Sequence, residues 1–400
     1  MNKIISVTIF TTCLISNVVM AQVKLSNTDL IKLDFKVLAK KKAQLKASDA
    51  TLLPAYNELI KNADELLHYK PVSVIDKTDV PPSGNKHDYM SIGPYWWPDP
   101  SKANGLPYIR KDGEVNPEVR NYSDKENMPK LCENIYDLSL AYYFSNNEKY
   151  AEHASKLLQV WFLDTATKMN PNLNYGQAIK GVIEGRAEGV IDTRQFIFAL
   201  DGVQLLQGSK AWTVKKNQAL KSWFSDFLNW LNTSKIGKDE MNAKNNHGVW
   251  FDAQALCIAL YVDSTDMANK IVIRAAERLN KQANNDGLFP YELERTTSLH
   301  YSVFIMNAFN IIAQLSEQTN TNFWALETPS GKSFKKCLEA IVPFVTKQKT
   351  WGYPEIKPFH IGDAYALLLH AGSKYEHADY LDFIKASRKN DYEKQLLNLL

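Results

Sequence analysis

From about residue 130 onward, apolar side chains recur every three or four positions, and short polar turns separate the apolar stretches. That spacing places the apolar residues on one face of an α-helix. Alternation with a period of two, which is typical of strands, is scarce. The pattern predicts helices over residues 131–144, 148–162, 193–206, 214–231, 248–262, 264–283, 298–315, 333–345 and 361–369.

Successive helices joined by short turns pack as antiparallel αα-hairpins. No repeat of fixed length is visible, which disfavours a solenoid built from similar units. We therefore predict an all-α fold. The expected architecture is an (α/α) toroid, an incomplete helical barrel with long aromatic-rich loops over a central cleft.

Residues 71–129 depart from the helical pattern and are rich in Pro, Gly, Asp, Asn, Tyr and Trp. A loop of this length inside a compact domain is usually functional or disordered, and its aromatic density argues against disorder. Aromatic faces stack on sugar rings, and arginines bind carboxylates with directional hydrogen bonds. The alternative for the two tryptophans is a small satellite core under the loop. The candidate substrate-binding residues here are Tyr95, Trp96, Trp97, Arg110 and Arg120.

The first 21 residues have the pattern of a secretory signal peptide, in which a positive charge precedes a mostly apolar run that ends at Ala21. A lipoprotein signal is less favoured because the residues around Cys13 fit lipidation poorly. Residues 22–400 are expected to form a single toroid domain. No later stretch approaches the roughly 20 apolar residues of a membrane span, so we expect an exported protein, periplasmic or secreted.

Composition narrows the possible functions further. The chain of 400 residues is 45% hydrophobic, which suits a packed core and excludes a disordered chain. Its 47 basic and 44 acidic side chains give a formal charge of only +3, without the basic excess of a nucleic-acid binder. Beyond the signal peptide only Cys132, Cys257 and Cys337 remain, with no disulfide framework and no zinc-ligand spacing. No metal and no cofactor is predicted.

Two further polar clusters lie at predicted helix starts. Asn245, Asn246 and His247 precede an apolar helix, where unpaired N–H groups attract anions. One Asn is expected simply to cap that helix, and His247 titrates nearest neutrality. The other cluster comprises Tyr291, Arg295, His300 and Tyr301, ahead of and inside the helix that begins near Ser298. Tyr301 is either a core aromatic with a polar partner or a reactive phenol, and His300 is a candidate partner for that phenol or a base itself.

Together these clusters resemble the alginate-lyase superfamily of helical-toroid polysaccharide lyases. The resemblance rests on Asn-Asn-His-Gly at 245–248, on Glu294-Arg295 followed by Leu299-His300-Tyr301, and on two parts of the loop. Those parts are Pro-Tyr-Trp-Trp-Pro at 94–98 and Asp-Gly-Glu-Val-Asn-Pro-Glu at 112–118. It spans roughly residues 88–315, the larger part of the mature chain.

The resemblance implies a polysaccharide lyase that acts on an anionic polysaccharide. It places Asn246, His247 and Tyr301 in the centre for β-elimination and gives Arg295 the role of neutralising the substrate carboxylate. In the better-known alginate lyases the corresponding Arg stands one position further before the Tyr. This departure suggests a separate branch, whose relatives include alginate and glucuronan lyases.

The chemistry explains why these residue types belong together. A uronic acid carries an acidic hydrogen at C5, beside its carboxylate, and the leaving glycosidic oxygen at C4. A base must remove the hydrogen, an acid must protonate the leaving oxygen, and donors must stabilise charge on the carboxylate. Tyr301, with an ordinary pKa near 10, needs a positive neighbour to act as base, and Arg295 is the candidate.

Two other functions fit the same residues. A glycoside hydrolase on this fold requires two positioned carboxylates, and Glu292 with Glu294, or Asp99 with Glu118, are the candidates. A non-catalytic glycan-binding protein would use the tryptophan loop and the basic groups to hold polymer without cleaving it.

Overall fold

The structure is a computed structural model that describes residues 30–387 and 399–400, so the predicted signal peptide lies outside the described residues. Helices dominate it. Their bounds are α1 (Phe35–Lys46), α2 (Leu53–Leu66), α3 (Ser123–Ser145), α4 (Glu148–Leu158), α5 (Phe196–Leu205), α6 (Val214–Thr233), α7 (Lys235–Met241), α8 (Asn246–Tyr261), α9 (Thr265–Gln282), α10 (Pro290–Leu293), α11 (Ser298–Ser316), α12 (Phe334–Val345), α13 (Tyr365–Lys374) and α14 (Ala378–Ser387).

The helices form two layers of a ring. The inner helices α3, α5, α8, α11 and α13 pack in succession against one another, and α4, α9, α12 and α14 each pack outside an inner neighbour. Nearly every residue of α5 and α8 is buried, whereas α4 and α9 bury only one face. Helices buried on all sides belong to the inside of a large fold, and amphipathic helices to its surface. The predicted helical toroid is confirmed.

The predicted helices are present, with informative differences at their ends. The segment 148–162 is α-helical only to Leu158 and then widens into a π-helix, Gln159–Leu163. The segments 193–206 and 361–369 begin as 3-10 helices, Ala187–Gln195 and Ile361–Ala364.

The structure also extends helix into the region that the composition marks as loop. Helix α3 begins at Ser123, ahead of Pro129. The buried Asp124 accepts a hydrogen bond from the Met90 N–H at 3.0 Å and pairs with Lys77 Nζ at 3.0 Å. These tertiary contacts hold the first turns of α3 in spite of the internal proline, because packing overrides local propensity.

The rest of the 71–129 segment is ordered and crosses the ring. It contributes β1 (Met90–Ile92), β2 (Trp96–Trp97) and β3 (Ile109–Arg110), while β4 (Tyr175–Ala178) comes from a later loop. Strands β1 and β4 pair in parallel, and β2 and β3 form an antiparallel hairpin that sets Trp96 opposite Arg110. The buried Asp192 anchors this layer by accepting hydrogen bonds from the side chains of Tyr89, Ser91, Gln177 and Lys125.

The far end of the ring is sealed by the segment before α1. Lys32 Nζ lies 2.9 Å from Asp201 Oδ2 of α5, and both side chains are almost completely buried. Gln318, just beyond α11, donates to the carbonyl oxygens of Leu30 and Ile31. The start of the described chain is therefore tied to two inner helices.

Two expectations about sequence features can be compared with this part of the chain. Cys132, Cys257 and Cys337 are buried and unpaired, in agreement with the absence of a disulfide framework. None of the helices within residues 30–387 combines the length and the apolar character that crossing a membrane requires.

Candidate active site

His247 stands in the first turn of α8, which begins where Asn245 caps it. The Asn245 Oδ1 atom accepts the His247 N–H at 3.2 Å, so this Asn is the expected helix cap. The His247 Nδ1 atom lies 2.7 Å from Oε1 of Glu240, at the end of α7. The His247 side chain retains 17% exposure, whereas that of Glu240 retains 2%. The buried carboxylate thus orients an imidazole that still reaches the surface.

The charges around His247 favour its protonated form. Burial lowers the pKa of His247, but the charge of Glu240 and its hydrogen bond outweigh burial, so the net pKa is raised. Burial raises the pKa of Glu240 in turn, and His247 opposes that rise. Because Nδ1 is bonded to Glu240, Nε2 is the ring nitrogen left for other partners.

Asn246 is fully buried rather than exposed to the cleft. Its N–H donates to Glu292 Oε1 at 2.7 Å and its Nδ2 to Glu292 Oε2 at 2.8 Å. The Oδ1 atom is buried without a hydrogen-bond partner. Glu292 itself is fully buried in α10, so it joins α10 to the start of α8 and does not face solvent as a hydrolase carboxylate would.

Tyr301 occupies the first turn of α11, on the buried face together with Ala308, as the helical spacing predicts. Its hydroxyl lies 2.7 Å from the hydroxyl of Tyr95, so the loop supplies the expected polar partner. Burial and then Tyr95 raise the pKa of Tyr301, and the opposing influence of Arg295 does not cancel them. The phenol is therefore protonated at neutral pH.

Arg295 lies against Tyr301. Its guanidinium carbon is 3.6 Å from the centre of the Tyr301 ring, within the range of a close cation–π contact. Its Nη2 atom is 2.7 Å from Asp112 Oδ1. The residue next to the phenol is thus the predicted one, but its carboxylate partner comes from the loop.

The two candidate reactive groups lie at the same end of the ring. Helices α8 and α11 pack together, and the rings of Trp250 and Phe304 meet at 4.9 Å between centroids. Each of these rings follows its candidate, His247 or Tyr301, by three residues, which is nearly one helical turn. The two first turns are therefore level with each other.

An open cleft of about 290 Å³ adjoins this end of the ring. Its lining includes His247, Glu240, Asn245, Lys244, Glu188 and the half-exposed Tyr291. Tyr301 does not belong to the residues that line this cleft, and Tyr95 covers its hydroxyl. The predicted residues Asn245, His247 and Tyr291 are thus brought together, with Tyr301 one element away.

The hairpin residues form a half-buried aromatic and basic layer. Arg186 lies over the ring of Trp96 at 5.9 Å and Lys111 over that of Trp97 at 5.0 Å. The Trp97 Nε1 atom donates to the carbonyl oxygen of Glu114. Arg110 is exposed and pairs with Asp112 at 2.7 Å.

Other predicted residues lie at the margin of the site. Arg120 is exposed in the 3-10 helix Pro117–Asn121. The His300 ring meets the Tyr301 ring edge-on at 5.4 Å, but its Nδ1 atom is 3.3 Å from Asp363 Oδ2. The phenol of Tyr301 therefore bonds to Tyr95, and the Nδ1 atom of His300 has Asp363 as its partner.

Sequence reasoning missed several partners. Arg186 and Asp192, six residues apart, do not pair with each other: Arg186 Nη1 lies 2.8 Å from Glu188, and Asp192 pairs with Lys125. Glu240 is the most important omission. It lies seven residues before His247, which offers a hint of proximity, but a turn separates their helices and hides the contact.

Within residues 30–387, no cluster of three or more His, Cys, Asp or Glu side chains is arranged to hold a metal ion.

Comparison with known proteins identifies the family. The profile of the alginate lyase family matches residues 73–351. The chain belongs to the alginate lyase family. It is therefore a polysaccharide lyase.

Solved structures of alginate lyases agree with this assignment. An alginate lyase from Bacteroides ovatus is 38% identical, with a TM-score of 0.86 over 91% of this chain and 96% of that chain. Alginate lyase A1-III from Sphingomonas species A1 is 17% identical, with a TM-score of 0.58 over 90% of this chain and 94% of that one. A variant of A1-III complexed with a tetrasaccharide is 16% identical, with a TM-score of 0.58 over 90% of both chains. These last two share the fold. A search of curated proteins finds no match.

Proposed function

We propose that this polysaccharide lyase cleaves polyuronates by β-elimination and leaves an unsaturated uronate at the new chain end. Alginate is the first substrate to test, and glucuronan is the second. The observation that carries the proposal is the level placement of His247 and Tyr301 at the starts of two packed inner helices. Each has a charged partner, Glu240 for the imidazole and Arg295 for the phenol.

In the proposed reaction a base removes the C5 hydrogen, the electron pair forms the C4–C5 double bond, and the C4–O bond breaks. Tyr301 protonates the leaving oxygen, a role that suits a phenol whose burial keeps it protonated. When the C5 hydrogen lies on the same face of the sugar, Tyr301 must first lose its own proton to solvent; the phenolate then removes the C5 hydrogen and passes that proton to the leaving oxygen. His247 is the base when the hydrogen lies on the opposite face, and it must first lose its Nε2 proton.

The charge that develops on the substrate carboxylate needs donors. The family resemblance assigns this role to Asn246 and Arg295, although in the structure the amide of Asn246 is bonded to Glu292 and the guanidinium of Arg295 is paired with Asp112. Trp96 and Trp97 provide faces for sugar rings. The remaining proposed contacts to the polymer are Tyr95, Arg110, Arg120, Asn245, Tyr291 and His300.

A product assay tests the function. The purified protein is incubated with polymannuronate, polyguluronate and glucuronan, and absorbance in the ultraviolet reports the unsaturated product. The doubly substituted His247→Ala, Tyr301→Phe variant is the control and is expected to be inactive. New reducing ends without ultraviolet absorbance would indicate a hydrolase, and polymer binding in calorimetry without cleavage would indicate a glycan-binding protein. If only glucuronan is turned over, glucuronan and not alginate is the substrate.

We also propose that the chain is exported and that residues 1–21 are removed. The charge and apolar run at its start support this. Fractionation of producing cells, followed by sequencing of the mature N-terminus, is expected to find Gln22 first in the exported protein. A lipid-modified Cys13, or Met1 retained in the cytoplasm, would contradict the proposal.

A further inference from the structure

Arg295 is held from two directions. Its Nε atom lies 3.2 and 3.1 Å from the two carboxylate oxygens of Asp112, and its Nη2 atom lies 2.7 Å from Oδ1. The guanidinium carbon of the same residue lies 3.6 Å from the centre of the Tyr301 ring. One edge of the guanidinium is thus occupied by a carboxylate while its charge is presented to the phenol.

Asp112 is built into this position. The Thr296 N–H and hydroxyl donate to its Oδ2 at 3.3 and 3.2 Å, and Arg110 Nη2 donates to Oδ1 at 2.7 Å. Burial acts against ionisation, but the hydrogen bonds and charge of Arg295 and the Thr296 N–H lower the pKa of Asp112 to about 2. The carboxylate is therefore ionised at neutral pH.

The backbone beside Asp112 requires this close approach. Gly113 has a φ of +76°, and a Cβ atom there would lie 2.5 Å from the Thr296 hydroxyl oxygen. Any side chain would push the loop away from Thr296 and Arg295. Lys357 Nζ also donates to the Gly113 carbonyl oxygen at 2.7 Å. The turn therefore presses Asp112 against the segment that carries Arg295.

A guanidinium arranged in this way is poorly suited to capture a substrate carboxylate. Its side edge is taken, and its charge is already paired before any ligand arrives. A positive charge beside a phenol, however, stabilises the phenolate that forms when the proton leaves. The 3.6 Å contact with its ring brings that charge to Tyr301.

We propose that Asp112 is a positioning residue that holds Arg295 against the ring of Tyr301, so that Arg295 assists proton transfer by the phenol instead of binding the substrate carboxylate. The inference rests on the proposed acid–base role of Tyr301. Asp112 acts only through Arg295 and does not touch the reacting atoms.

The two roles of Arg295 predict opposite kinetics for Asp112→Asn. If Arg295 serves the phenol, loss of its anchor lowers kcat about tenfold, or about 1.4 kcal/mol in activation free energy, with KM nearly unchanged. If Arg295 binds the substrate carboxylate, loss of the competing carboxylate frees the guanidinium. KM then falls while kcat stays unchanged, which would overturn the proposal.

A double-mutant cycle separates positioning from general damage to the loop. Steady-state kinetics are measured for the wild type, Asp112→Asn, Tyr301→Phe and the double variant on the polymer that the wild type turns over best. We expect Asp112→Asn to have no further effect on the residual kcat of Tyr301→Phe, because its route to the reaction is gone. An undiminished tenfold loss in that background would mean that Asp112 acts elsewhere.

Asp79→Asn, an exposed carboxylate of the same long loop, is the matched control and is expected to retain wild-type kinetics. Failure of the proposed function is distinguishable from failure of this inference. If the proposed function fails, the wild type itself forms no unsaturated product, or Tyr301→Phe keeps full activity, whatever the kinetics of Asp112→Asn.

Discussion

Two clusters of charged and polar side chains occupy opposite ends of the ring and share one inner helix, α11. The mouth cluster consists of His247 with Glu240, and of Tyr301 with Arg295 and Asp112. The base cluster consists of Lys32, Asp201, Asn310, Gln314 and His370. Asn310 follows Tyr301 by nine residues along α11, about 14 Å at the rise of an α-helix.

The clusters differ in how far their charges are sealed from water. At the mouth, the side chains of Arg295, Asp112 and His247 keep 15%, 21% and 17% of their exposure, whereas that of Glu240 keeps 2%. At the base, Lys32 keeps 9% and Asp201 none. His370 there accepts hydrogen bonds from Asn310 and Gln314, and burial lowers its pKa to about 3.

This difference in exposure suits the two clusters to different purposes, the mouth cluster to chemistry and the base cluster to stability. A charge that retains access to solvent can meet a substrate, so the mouth cluster suits chemistry. A charge that is sealed contributes only through its partner, and removing that partner is costly. Activity should therefore respond to changes in the mouth cluster, and stability to changes in the base cluster.

The largest expected effect is on stability and comes from the base cluster. Asp201→Asn leaves Lys32 buried without its counter-ion, so we expect a loss of about 3–5 kcal/mol in the free energy of unfolding. Urea denaturation measures this loss, and kcat well below the midpoint is expected to be unchanged. Removing both charges in Lys32→Met, Asp201→Asn should recover part of the stability. Glu277→Gln breaks an exposed pair with Lys281 and is expected to cost less than 1 kcal/mol. Equal losses of unfolding free energy in Asp201→Asn and Glu277→Gln would contradict the claim that the charges of the base cluster are sealed from water.

The next effect is at the mouth. Tyr301→Phe removes the proposed acid, and we expect kcat to fall by roughly a hundredfold or more. The melting temperature should change little. Tyr261→Phe removes another buried hydroxyl, which donates to Asn217 at 3.0 Å far along α8, and is expected to keep its kcat. A comparable loss of kcat in both variants would show that the effect of Tyr301→Phe is structural.

A change in pH dependence should be confined to the mouth. Glu240→Gln keeps a hydrogen-bond partner for His247 but removes the charge that raises the pKa of His247. The pKa of His247 therefore falls, and the limb of the pH profile of kcat/KM that reports it moves to lower pH. If His247 is the base, it needs to be neutral, so the variant keeps activity further into acid.

The adjacent Asp239, which pairs with the exposed Lys235, supplies the control for this shift. Asp239→Asn is expected to leave the profile in place. An unchanged profile in Glu240→Gln would mean that the carboxylate does not set the charge of His247 in solution. A shift in the alkaline limb instead of the acid limb would make His247 a proton donor.

The smallest effect compares two helix caps. Asn245 and Asn147 each accept one backbone N–H at 3.2 Å, at the starts of α8 and α4. Replacement of either by Ala is expected to cost about 1 kcal/mol of stability in thermal or urea unfolding. Only Asn245→Ala should also lower kcat/KM, because it holds the turn that carries His247. Equal kcat/KM in Asn245→Ala and Asn147→Ala would mean that the cap at Asn245 does not affect the position of His247.

Local physics explains the part of this protein that its sequence predicts. The apolar period predicts most of the helices, because burying an amphipathic face is a property of each segment. Local reasoning likewise predicts that one of the two asparagines before α8 caps the helix, and it offers a buried position for Tyr301 as one alternative. The segment before α1 and the short helix α7 are too polar or too brief to produce that signal.

The partners of the reactive groups depended on how distant segments dock. Glu240 meets His247 only because α7 folds back on α8, and Asp112 meets Arg295 only because the loop crosses the ring. Arg186 and Asp192 likewise pair with residues other than each other. The sequence alone determined the helical ring and the family, and it supplies the candidates proposed to carry the chemistry. Tertiary structure decided their charge states, since these depend on burial and on neighbours that no sequence spacing brings together.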